Sequence, residues 1–115
     1  MKQRIYAEEL RLPSPSIYDT TLRSDFAIHN PGQDGLLLIE YVWQKGSGTT
    51  DQKFPYKVLN IKERFPNEAV TVMLVDGGGF ELGAIAWLEA QQDEKLVKVV
   101  DRAGFHGAMK ELGFE

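Results

Sequence analysis

A chain of 115 residues, 43% hydrophobic and 26% charged, is sized for one hydrophobic core and leaves no room for a second domain. No apolar run approaches the roughly 18 residues of a membrane span, and Met1-Lys2-Gln3-Arg4 opens no secretory signal. A net charge of -4 argues against coating nucleic acid by bulk electrostatics, though not against one local basic face, and the lack of cysteine removes disulfides and thiolate zinc. The expectation is a single cytoplasmic domain over residues 1–115.

In chain order, Lys2 to Leu10 reads as a short helix with Ile5, Ala7 and Leu10 on its apolar side, closed by Pro13 and Pro15. A short strand follows at Asp25-Phe26-Ala27-Ile28, then a turn over Asn30 to Gly35. Leu36 to Gln44 is the clearest strand, and its four leading apolar residues suit a strand covered on both faces. The two strands and their glycine-containing turn read as a hairpin. A polar loop, Lys45 to Asp51, comes next.

From Lys53 to Phe65 the spacing becomes helical, with Phe54, Val58, Ile61 and Phe65 in one stripe. Pro55 is tolerated in its first turn and Pro66 closes it. A basic and polar stripe, Lys53, Lys57, Asn60 and Arg64, lies beside the apolar one. Ala69 to Val75 is a β-branched run and predicts a buried strand. Asp76-Gly77-Gly78-Gly79 turns the chain into a helix from about Phe80 to Gln91, with Ala84, Ile85 and Leu88 inward. Leu96 to Val100 is a further strand, and Asp101 caps a last helix carrying Phe105, Met109 and Leu112. The strand–helix alternation of the second half implies a partly parallel sheet with helices against it.

Two carboxylates stand out by their surroundings. Asp25 opens a strand, and Glu40 interrupts an apolar one, where a carboxylate costs several kcal/mol without a cation or strong hydrogen bonds. Glu40, Val42 and Gln44 share a face by the period of two. If the Asp25 strand is the hairpin partner, both carboxylates can share a hard divalent cation such as magnesium or manganese, which supports phosphodiester hydrolysis. Asp25 also reads as a turn cap, and Glu40 as the partner of a lysine at a sheet edge.

Arg23-Ser24-Asp25-Phe26, Leu38 to Gln44, Gly46 to Tyr56 and Val75 to Phe80, with Gly83-Ala84 and Trp87-Leu88, resemble a branch of the PD-(D/E)XK, restriction-endonuclease-like superfamily. The resemblance implies an α/β fold, a central mixed β-sheet flanked by helices. It implies metal-binding roles for Asp25 and Glu40, with DNA as partner and a homodimer by analogy. It also implies a metal-dependent DNA endonuclease of restriction, homing or repair type, or a decayed module that binds DNA or protein. The family's lysine two residues after the glutamate is Val42 here, and valine can neither orient water nor stabilise developing charge.

Lys53 is the leading candidate to replace that lysine; Lys57 reads more readily as part of the solvated stripe with Arg64. Gln44 is a candidate contact for water or phosphate, or an ordinary strand-end amide. The glycines at 77–79 lack the spacing of a nucleotide fingerprint and read as a tight turn. His29 and His106 are isolated surface residues, while Trp43 and Trp87 read as core or partner contacts.

Overall fold

The computed structural model describes residues 5–29, 35–44 and 50–114; residues 30–34 of the predicted turn and 45–49 of the polar loop lie outside them. One five-stranded sheet runs in sequence order: β1 (Ile5–Arg11), β2 (Arg23–His29), β3 (Leu36–Gln44), β4 (Ala69–Gly77) and β5 (Leu96–Val100). The β1–β2 and β2–β3 pairs are antiparallel; β3–β4 and β4–β5 are parallel. Helix α1 (Phe54–Glu63) makes the crossover from β3 to β4 after a single 3-10 turn at Thr50–Lys53, α2 (Leu82–Ala90) joins β4 to β5, and α3 (Arg102–Glu111) follows β5. No helix among the described residues is long and apolar enough to cross a membrane.

Of the N-terminal helix expected over Lys2 to Leu10, residues 2–4 lie outside the described residues and the rest is instead part of strand β1. Its residues pair with β2 from Ile5↔His29 to Arg11↔Arg23, and Tyr6 stacks on Phe26 with ring centroids 6.1 Å apart. So short a segment cannot carry the cost of nucleating a helix alone, whereas the open edge of β2 offers it a ladder of backbone partners. The other elements fall where periodicity placed them, within a few residues.

The sheet buries both faces. On one, Ala27, Leu38, Val42 and Met73 pack under Phe54, Val58 and Ile61 of α1 and Leu88 of α2. On the other, Leu37, Ile39 and Val72 pack under Met109 of α3 and Phe114, with Phe105 and Leu112 alongside. Phe54 also stacks on Phe80 at 5.8 Å, which ties the start of α1 to the chain entering α2. Asp101 caps α3 as the sequence predicts, accepting from the Gly104 N–H at 2.8 Å. At the end of α1, Lys95 Nζ donates to the Lys62 and Phe65 carbonyls, satisfying acceptors that a helix terminus leaves open.

Asn60 departs from the solvated stripe in which the sequence placed it. It is buried, and its Oδ1 accepts from the Ile17 N–H at 2.9 Å, pinning the loop between β1 and β2 onto α1.

Candidate active site at the parting of β2 and β3

Strand β3 pairs with β4 along its whole length, from Leu36↔Ala69 to Gln44↔Gly77. Its other edge pairs with β2 only at Ile28↔Leu37, Ala27↔Leu38 and Phe26↔Ile39. Beyond that point β2 stays with β1 and leaves β3. The ladder is replaced there by two reciprocal side-chain bonds. The Asp25 N–H donates to Glu40 Oε2 at 2.9 Å, and the Tyr41 N–H donates to Asp25 Oδ2 at 2.8 Å. Backbone donors that lose their ladder partners are thus satisfied by carboxylates, which accept strongly when ionised.

The period of two sets Glu40 on the face covered by α1, between Leu38 and Val42. Glu40 is only 5% exposed. Burial pushes its carboxyl up to about 7, and the Asp25 charge pushes the same way; the Asp25 N–H, the Lys57 charge and the Ser24 hydroxyl oppose them. Asp25, with Phe26, Tyr41, Glu8 and Glu9, lines an open cleft of about 540 Å³. Glu9 takes a φ of 49° at the point of β1 opposite Asp25, a left-handed conformation that costs about 1–2 kcal/mol for a non-glycine residue.

The sequence did not single out Glu8 and Glu9, because reading β1 as a helix removed them from the neighbourhood of β2. Among the described residues, no three or more His, Cys, Asp or Glu side chains group in a way that could hold a metal ion. The donor set at the parting is a carboxylate pair. That chemistry fits magnesium or manganese, which accept oxygen ligands; magnesium in particular keeps several waters.

Val42 is 2% exposed and belongs to the core under α1. Gln44 is buried, and its Nε2 donates to the Gly79 carbonyl at 2.9 Å while its own carbonyl accepts from the Gly78 N–H at 2.8 Å. The glycine turn is thereby fastened to the end of β3. Lys53 stands at the start of α1 and is exposed, whereas Lys57, one turn on, is half-buried and its charge acts on Glu40. His29 is half-buried and His106 exposed, while Trp43 and Trp87 are both exposed.

On the opposite face Asp76 joins three elements. Its Oδ2 accepts from the Tyr41 hydroxyl at 2.7 Å and from Arg102 at 2.8 Å, and its Oδ1 accepts from the Gly77 N–H. These bonds fix the ends of β3 and β4 to the start of α3.

A family model described as a PD-(D/E)XK nuclease superfamily domain matches residues 1–106. The chain belongs to that superfamily, and its mixed sheet with three flanking helices is a restriction-endonuclease-like core. Neither a search of curated proteins nor one of solved structures returned a match.

Proposed function

We propose that the chain, acting as one domain, is a metal-dependent DNA endonuclease with its reacting centre at Asp25 and Glu40. The observation that carries this reading is the carboxylate pair at the parting of β2 and β3, one member buried and held uncharged by its surroundings up to about pH 7. Two acidic groups crowded at the point where a ladder is interrupted cost stability, and a divalent cation would relieve that cost.

Asp25 and Glu40 would hold magnesium or manganese, which supplies a polarised phosphate and a more acidic water. Their backbone bonds fix both carboxylates before any ligand arrives, a form of preorganisation. Hydrolysis joins a water oxygen to phosphorus and breaks the bond to one bridging oxygen. The products are a phosphate monoester and a free hydroxyl.

Gln44 would support this centre by holding the glycine turn, and Lys53, exposed at the start of α1, would stand in for the lysine that the family has where Val42 lies. A homodimer would bring two such centres to two strands. A second reading, a decayed module that binds DNA or protein without cutting, draws on Val42, whose side chain belongs to the core.

Plasmid cleavage with magnesium or manganese tests the proposal, using the wild-type chain, Asp25→Asn and Glu40→Gln. Both amides keep an oxygen for the Tyr41 and Asp25 N–H groups, so the fold should survive. Metal-dependent nicking lost in both variants is expected, together with a magnesium-induced rise in Tm that both variants lose. DNA binding that needs no metal, without cleavage, would favour the module.

A further inference from the structure

We propose that Tyr18, stacked on Tyr56, is a platform for an unpaired base, so that the DNA this chain takes carries a single-stranded stretch. This deepens the nuclease reading above and rests on it.

The loop between β1 and β2 is built as a rigid mount. The Ser16 N–H donates to the Thr20 carbonyl at 2.8 Å, and the Asp19 N–H to the Ser16 carbonyl at 2.9 Å. The buried Ser16 hydroxyl accepts from the Tyr18 and Thr20 N–H groups and bonds the Thr20 hydroxyl at 2.6 Å. Asp19 completes the turn with a φ of 60°, a left-handed conformation that strains a non-glycine residue. The Ile17 N–H, bonded to buried Asn60, fastens the turn to α1. None of these bonds uses the Tyr18 side chain, yet the turn holds that side chain 71% exposed.

The Tyr18 ring lies against Tyr56 of α1, with centroids 5.0 Å apart and planes 23° apart. Tyr56 therefore covers one face of the ring and fixes its plane, and the exposure belongs to the other face and the edge. A nucleobase is the flat partner that such a face accepts, whatever its sequence. In a duplex the base faces cover one another, so only an unpaired strand presents one.

Charge favours the same partner. Lys53, Tyr56, Lys57 and Asn60 follow the i, i+3, i+4, i+7 spacing, and the Asn60–Ile17 bond shows that this flank of α1 meets the loop. Two lysines accordingly flank Tyr56, beside the stack, where a sugar–phosphate chain carries its negative charge. Helix α1 also covers the sheet face that carries Leu38, Glu40 and Val42, so the platform stands on the Glu40 side of the sheet.

The experiment is fluorescence anisotropy in EDTA, where no strand is cut, with the wild-type chain, Tyr18→Ala and Tyr18→Trp. The probes are an oligothymidylate of about 12 nucleotides, an abasic strand of the same length and a blunt duplex. Tyr18→Ala should bind the oligothymidylate about 10-fold more weakly, with an unchanged salt dependence because no phosphate contact is lost. Tyr18→Trp should bind it at least as tightly as wild type. The abasic strand should not distinguish the three chains, and all three should melt alike. Metal-dependent plasmid nicking by the wild-type chain and Asp25→Asn is followed in parallel.

A Tyr18→Ala chain that binds the oligothymidylate like wild type overturns the platform, and nicking that Asp25→Asn abolishes would leave the nuclease reading intact. Equal losses on the base-bearing and abasic strands also overturn it, because Tyr18 would then shape the turn or touch the backbone. So does a wild-type chain that prefers the duplex. A wild-type chain that binds no probe and nicks no plasmid overturns both readings.

Discussion

The two edges of β3 make opposite use of the same nine residues. Toward β4 the strand is paired to its end, and the glycine turn is locked onto Gln44. Toward β2 it is paired over its first half only, and two carboxylates occupy the gap. One edge supplies rigidity; the other gives up ladder bonds and gains an acidic centre. A reactive group can be held accurately at a break in a sheet only because the neighbouring edge is unbroken.

The strongest way to break this arrangement is on the rigid edge. Gly77 has a φ of 93°, and a Cβ there would fall 2.0 Å from the Gln44 carbonyl oxygen. Gly77→Ala should therefore cost more than about 3 kcal/mol in denaturant unfolding, since neither backbone can yield without losing the β3–β4 register. A variant as stable as wild type would show that the glycine turn does not hold the site.

The parted edge makes a prediction of the opposite kind. The Glu40 carboxyl is raised from 4.5 to about 7 in the folded chain, first by burial and then by Asp25. A raised carboxyl is uncharged in both states below the unfolded value, so its contribution is fully present there. As pH rises, the unfolded chain loses this proton first, and the advantage is gone once the folded group also ionises. Without metal, stability should fall between about pH 4.5 and 7 by roughly 3 kcal/mol, at 1.36 kcal/mol per pKa unit. Glu40→Gln should flatten that slope in chemical denaturation at a series of pH values. An unchanged slope would place the titration elsewhere.

A smaller change sharpens the comparison from the far face. Asp101→Ala removes the cap of α3 and should cost about 1 kcal/mol with the magnesium-induced rise in Tm unchanged, because α3 covers the face away from Glu40. A loss of that rise would mean that the two faces are coupled through the sheet.

Much of the molecule could be read from its residues. Apolar period, turn glycines and the Asp101 cap each act within a few positions, so β3, α1, β4, α2, β5 and α3 were legible as local events. Asp25 and Glu40 were legible for a different reason: a carboxylate in an apolar strand is conspicuous whatever surrounds it. The first strand was not, because seven residues of mixed character have no conformation of their own until β2 provides an edge.

Short-range pattern is enough to set the alternation of elements and to put two acidic residues in strands. That β1 is a strand, and that β2 and β3 separate where those residues lie, emerges from the assembled fold alone. Strand pairing and the end of a ladder depend on which distant surfaces meet, and no local run of residues encodes that alone.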